Sequence, residues 1–282
     1  MRVFDAHFDP MHIDPMHIDL GQLYWQDYLP LLQQFKGQQF PGCNQLNSLL
    51  PNGLVSQGGH KIHFVPSTEL DDEAYEFRIY TTGQVSTRAN NWHDLFNAFV
   101  WMRFPRIKTA MNALHYQAWS QQSEGSRGRL RDALTLFDEC GVIVVSDHTE
   151  LLTALSGRQW STAFQHLRSQ WGAQLQVAIT GHAILEKYLS PYKSMTAKAL
   201  LIHTEYVYTD RNDLLEFLDR EIAVQLSGGT ILTKPACLAP LPLAGIPGWW
   251  PDATQDEQFY ADVNVFRPPA GNLIPAPIYS LP

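Results

Sequence analysis

Residues 75–115, YEFRIYTTGQVSTRANNWHDLFNAFVWMRFPRIKTAMNALH, decide how this chain is to be folded. Tyr75, Phe77 and Ile79 alternate with Glu76, Arg78 and Tyr80, the period of a half-buried strand. Thr82-Gly83 is a turn signal, and Val85 to Thr87 resumes an extended pattern, so the spacing predicts a hairpin. A helix comes next. Asn91 is its expected N-cap, with Asp94 three residues on in the capping-box position. Trp92, Leu95, Phe96, Phe99 and Val100 form one broad apolar stripe. Pro105 disfavours helical geometry at Phe104 and opens the next helix, where its missing N–H costs nothing.

The polar residues of this stretch carry most of the chemistry. His93 and Asn97 lie one turn apart beside the first stripe. On the second helix Ile107, Met111, Leu114 and Ala118 face the core, and Lys108, Asn112 and His115 form a neighbouring polar stripe. If the two helices pack as a hairpin, His93, Asp94, Asn97, Lys108, Asn112 and His115 converge. The competing reading is structural, with each buried histidine satisfied by a backbone carbonyl.

Working outward toward the C-terminus, residues 121–128 are a polar loop and Arg129 to Glu139 a helix. That helix turns Leu130, Ala133, Leu134 and Phe137 inward, while Arg131, Thr135 and Asp138 share another face. Val142 to Val145 is a continuous apolar run, expected as a buried strand, with Asp147 or Thr149 capping the next helix. Residues 174–189 are predicted as one helix whose stripe is Leu175, Ala178, Ile179, His182, Leu185 and Leu189. His182 is then inward, and Glu186, one turn later, is placed to fix its tautomer or to help it hold a metal. Ala199 to His203 is a strand. Arg211 to Leu226 is an amphipathic helix with Asp213, Glu216, Asp219 and Glu221 mostly facing water. The tail from Pro235 is rich in proline and aromatics, and is expected to wrap over the domain on Trp249, Trp250, Phe259, Tyr260 and Phe266.

Toward the N-terminus, Ile62 to Val65 is a strand for the hairpin to pair with, Cys43 to Leu50 a short helix, and Leu23 to Phe35 an amphipathic helix kinked at Pro30. Residues 1–22 are expected to be a mobile segment containing a tandem repeat, DPMHI at 9–13 and again at 14–18. His7, His12 and His17 with Asp5, Asp9, Asp14 and Asp19 have the donors for loose metal binding. A slippage duplication accounts for them more simply.

The fold class expected from these elements is α+β: a small, largely antiparallel sheet packed by helices, with an irregular C-terminal wrap. The divisions are 1–22, a core domain over 23–234, and the wrap over 235–282. With 282 residues there is enough chain for a sizeable core. A formal net charge of -8 argues against general affinity for nucleic acid, which needs a basic face. No apolar run approaches the length of a membrane span, and no secretory signal opens the chain. Cys43, Cys140 and Cys237 have no metal-site spacing, so unpaired thiols and a cytoplasmic location are expected.

Four segments, TRANNWHDLFNAFVWMRFPRIK (87–108), RDALTLFDECG (131–141), GHAILEKYLSPYKSMTAKAL (181–200) and PLPLAGIPGWW (240–250), taken in that order, resemble a bacterial family, domain of unknown function 3025. The resemblance runs from about Phe35 to Arg267 and leaves out the DPMHI repeat. It implies one self-contained bacterial domain and carries over no catalytic residues.

Familiar site signatures are missing. There is no H-E-x-x-H and no G-x-S-x-G, and Gly125-Ser-Arg-Gly lacks the P-loop pattern. A divergent His-metal finger nuclease has a hairpin followed by a helix, but here the hairpin holds no histidine. The leading expectation is a hydrolase of polar or phosphate-containing small substrates. In it His93 or His182 is a general base or the ligand of a divalent metal ion, and Asp94, Asp138 and Glu186 ligate or orient. Lys108 and Arg88 stabilise negative charge, and Asn97, Asn112 and His115 contact substrate. The metal set expected is His93, Asp94, Asp138 and His182. The rival is a non-catalytic binding or assembly protein with buried polar networks, docking a protein partner through its aromatic tail.

Overall fold

The computed structural model describes residues 18–35, 39–67, 75–120, 128–172, 174–205, 210–269 and 271–282. The histidines of the N-terminal repeat, and most of the loop at 121–128, lie outside the described residues. The first half contains α1 (Leu29–Phe35), α2 (Cys43–Leu49), β1 (His63–Pro66), α3 (Tyr75–Thr82), β2 (Gln84–Thr87), α4 (Trp92–Arg103) and α5 (Pro105–Ser120). Then come α6 (Arg129–Cys140), β3 (Gly141–Ser146), α7 (Thr149–Ser156), β4 (Leu175–Ile179), α8 (His182–Lys187) and β5 (Thr196–His203). The chain closes with α9 (Arg211–Ser227), β6 (Ala239–Pro242), α10 (Glu257–Tyr260) and β7 (Ile278–Ser280).

The class is α+β, but the sheets are mixed rather than largely antiparallel. In the larger one the order is β4-β3-β5-β6. β3 pairs antiparallel with β4 and parallel with β5. β6 runs antiparallel along the first half of β5, and β7 runs parallel along its second half. The tail thus contributes two strands as well as the buried Trp249, Phe259, Tyr260 and Phe266, while Trp250 is half-buried. β3 is buried along its whole length, as its continuous apolar run predicts for a central strand. The smaller sheet is β1 paired parallel with β2.

Two predicted elements are overturned. Tyr75–Thr82 is a helix, not the first arm of a hairpin. Its alternation is real but serves helix packing. Ile79 enters the core, while Tyr80 stacks on Tyr116 at 3.9 Å and Phe77 meets Trp119 edge-on at 5.1 Å. Gly83, at φ +73, is the left-handed stop of α3, and its N–H reaches Ile79 O at 2.9 Å. A left-handed glycine ends a helix as readily as it turns a hairpin. The strand–turn–strand order on which the nuclease reading rested is therefore absent.

Residues 174–189 are not one helix. β4 occupies 175–179, and α8 begins only at His182. The break lies at Gly181. A Cβ there would come within 2.4 Å of Gly141 N and 2.7 Å of Glu139 O. On the other side of the same junction, a Cβ on Gly141 would stand 2.1 Å from Phe137 O. This glycine pair lets the start of α8 press against the end of α6.

The helix around Pro30 is also shorter than predicted. A 3-10 turn at Leu23–Trp25 precedes α1, and Pro30 sits in the first turn of α1, where its missing N–H is harmless. Neither Asp147 nor Thr149 occupies the cap of α7. His148 holds that position without a side-chain bond, and Ser146 Oγ accepts its N–H at 2.9 Å.

Asp219 is buried, not solvated. It reaches from α9 to the first turn of α5 and accepts Arg106 N–H at 3.2 Å and Ile107 N–H at 2.9 Å. Pro105 has no N–H, and Lys108 N–H goes to Phe104 O at 3.0 Å, so every donor of that turn is satisfied. Burial pushes the Asp219 carboxyl up to about 6 against the pull of those N–H groups and the Arg106 guanidinium.

Candidate metal centre

Three helix ends meet beside the larger sheet. α4 packs on α8, and α8 on α6. His93 is the second residue of α4, His182 the first of α8, and Glu139 lies at the end of α6. Asn91 caps α4 by accepting Asp94 N–H at 3.0 Å, as its sequence position predicts. The reciprocal half of the box is replaced. The Asp94 carboxylate turns to Arg88, accepting its backbone N–H at 2.6 Å and its guanidinium at 2.7 and 3.0 Å.

The imidazoles of His93 and His182 face each other, Nε2 to Nε2, at 2.9 Å. His93 Nδ1 lies 2.9 Å from Glu186 Oε2. A carboxylate accepts only, so a proton sits on Nδ1, and in the neutral ring Nε2 keeps its lone pair. Glu186 thus orients His93, across the interface, and not His182 on its own helix. That hydrogen bond raises the pKa of His93 against the effect of burial, and it pulls Glu186 below the usual carboxylate value. His182 is only 4% exposed, and burial pushes its pKa down to about 4, so the ring is neutral. Its Nδ1 lies 3.9 Å from Asp138 Oδ2. His93 therefore has a carboxylate hydrogen-bonded behind it, His182 Nδ1 has no hydrogen-bond partner among the described residues, and the two Nε2 atoms are turned to each other.

Two facing lone pairs at that distance repel unless a proton or a cation lies between them. Glu139 Oε2 completes the group, 3.6 Å from His182 Nε2 and 3.9 Å from His93 Nε2. These donor atoms all lie within 4.8 Å of one another. Two nitrogens each about 2.05 Å from one tetrahedral ion stand about 3.3 Å from each other, so the two rings would part by a few tenths of an ångström to hold it. Two neutral imidazoles and a carboxylate form a donor set suited to zinc, manganese or a similar divalent ion, with coordination positions left for water or substrate. Burial raises the pKa of Glu139, opposed by the charges of His93 and Lys108.

The site opens onto a cavity of about 330 Å³ lined by both histidines, Glu139, Asp138, Asp94, Arg88, Asn97 and His115, together with Tyr75 and Glu76. Most of the residues picked out from sequence are thus brought to one place. Lys108 and Asn112 stand behind the wall. The Lys108 ammonium donates to Asp138 Oδ1 at 2.5 Å and Asn97 Oδ1 at 3.0 Å, and lies 5.3 Å from the Trp101 ring centroid. Burial works against the Asp138 carboxylate, but Lys108 outweighs it and holds the pKa below the usual value. Asp138 is consequently an ion-pair partner. Asp94 is taken up by Arg88. Neither belongs to the group of donors that could share one ion among the described residues: that group holds His93 and His182 of the expected set together with Glu139, which was not in it. Asn112 donates to the Glu76 carbonyl and carboxylate at 2.8 and 2.7 Å. His115 is buried, which lowers its pKa.

Glu139 was missed by sequence reasoning. The signal lay in the helix period: Thr135 and Glu139 are four residues apart and line the same cavity. No helix among the described residues is long and apolar enough to cross a membrane.

No curated protein and no solved structure matches the chain. A family model described as "Protein of unknown function (DUF3025)" matches residues 62–270, and the chain belongs to that family.

Proposed function

We propose that this member of the DUF3025 family is a metal-dependent hydrolase of small, oxygen-rich substrates, with phosphate esters the best fit. The observation that carries the reading is the pair of facing Nε2 atoms 2.9 Å apart with Glu139 Oε2 beside them, at the wall of a polar cavity. A divalent ion held by His93, His182 and Glu139 would lower the pKa of a bound water toward neutrality and polarise a phosphoryl or carbonyl oxygen. The chain's own groups supply the rest. Glu186 keeps the His93 lone pair aimed at the ion. Burial keeps His182 neutral and able to ligate. The Arg88 guanidinium, half-exposed and anchored by Asp94, stands where an anionic group entering the cavity would meet it.

The alternative is a binding module without catalysis. It is favoured by the buried Lys108–Asp138 pair, because an ion pair of that kind also fixes a structural network. A panel of aryl phosphate mono- and diesters and small carboxylic esters, assayed with zinc, manganese or chelator, separates the two. The hydrolase reading expects turnover of at least one class that chelator abolishes and metal restores, and that His182→Gln lacks. Metal uptake with no turnover of any class supports the binding module.

A further inference from the structure

Lys108 sets the direction of a chain of hydrogen bonds that ends in the cavity. An ammonium only donates, so the atom of Asn97 facing Lys108 Nζ at 3.0 Å must be its carbonyl oxygen. The Asn97 amide nitrogen is therefore the atom 2.8 Å from Tyr75 Oη, and it donates there. The tyrosine oxygen is thus used as an acceptor, and its own O–H is left to donate elsewhere. Among the described residues no carbonyl or carboxylate takes that proton. Tyr75 lines the same cavity as His93, His182 and Glu139. Tyr75 is 37% exposed, so its hydroxyl is open to a ligand, and a phenol stays protonated at ordinary pH.

We propose that Tyr75 is a substrate-binding residue whose hydroxyl donates to an anionic oxygen, a phosphoryl oxygen first of all, of a ligand held at the metal. Lys108 and Asn97 are its positioning residues. They occupy an acceptor position of the hydroxyl and leave its O–H to be given away, so the site favours a ligand that presents an oxygen lone pair over one that presents an N–H or ammonium. This assignment rests on the proposed metal site.

The test uses the full chain loaded with one equivalent of zinc, with inorganic phosphate as the probe, measured by calorimetry. Tyr75→Phe keeps the ring and removes only the O–H. The expected result is unchanged zinc content and melting temperature with phosphate bound about 10- to 100-fold more weakly. Methylammonium, a cation that can only donate, should bind neither protein, and its binding to wild type but not to Tyr75→Phe would overturn the assignment. Equal phosphate affinity in Tyr75→Phe overturns the assignment, as does a zinc-loaded wild type that ignores phosphate. Loss of zinc from Tyr75→Phe overturns it too, since the effect would then lie in the metal site. A wild type that takes up no zinc instead refutes the metal site on which the assignment depends.

Discussion

Glu186 and Asp138 act differently on the two histidines they back. Glu186 is hydrogen-bonded to His93 and raises its pKa, whereas burial of His182 overcomes the pull of the Asp138 charge, which the Lys108 charge opposes. In the metal-free protein this has a definite sign. A histidine with a raised folded pKa stabilises the fold fully below its unfolded value of about 6.5, and that contribution is lost as pH rises through the folded value. Glu186→Gln removes the cause. The stability of metal-free wild type relative to Glu186→Gln, read from denaturant melts, should therefore fall as pH rises above about 6.5. The His93 imidazole, followed by NMR, should titrate at lower pH in the variant. An unchanged His93 titration would show that Glu186 does not set its protonation. At the same scale, Glu139→Gln keeps the shape and removes the charge, and should weaken metal binding by about tenfold or more without lowering the stability of the metal-free protein. A clear loss of metal-free stability would make Glu139 structural instead.

At the scale of elements, the junction Gly141–Gly181 is what brings α6 and α8 close enough for Glu139 to join His182. Gly181→Ala should force the two apart, because the new Cβ meets backbone atoms at 2.4 and 2.7 Å, which cannot rotate away. The variant should lose metal affinity and melt well below wild type, and alanine is also the poorer residue at the N-cap of α8. A Gly181→Ala protein with wild-type stability and metal affinity would contradict the close-approach argument. Asp219→Ala tests the cross-helix cap. It strands the N–H groups of Arg106 and Ile107 and should cost about 1–3 kcal/mol in a denaturant melt. These same elements show what sequence could and could not yield. The α4 stripe, its Asn91 cap and the Pro105 boundary follow from local rules and stand as predicted. α3 and β4 do not, since short apolar alternations suit either period and tertiary packing decides between them. Asp219 looked solvated because the helix end it caps is contributed by residues more than a hundred positions away.

For the whole molecule, the mixed sheet and the tail could not be read locally. Parallel pairing of β3 with β5, and the two tail strands sharing one edge of β5, are long-range choices. The site was legible in part for the same reason. Histidines beside apolar stripes marked α4 and α8, but the partners of those histidines come from other helices. His93 meets Glu186 across the α4–α8 contact, and Glu139 lies beside Asp138, the neighbour that drew attention first. The three cysteines are free, two half-buried and one buried. Thiol titration under denaturing, non-reducing conditions should return three free thiols, and a lower count would mean a pairing that this fold does not contain.

The central claim is that His93, His182 and Glu139 hold one divalent ion. Elemental analysis of full-length, untagged protein tests it most directly, provided the histidines of the N-terminal repeat are controlled for. Wild type and His93→Ala/His182→Ala should therefore be compared as intact chains after identical loading with zinc and removal of excess. The account predicts that wild type retains one equivalent more than the double variant, whatever the repeat binds in both. Equal zinc in the two proteins, or none in wild type, would contradict it.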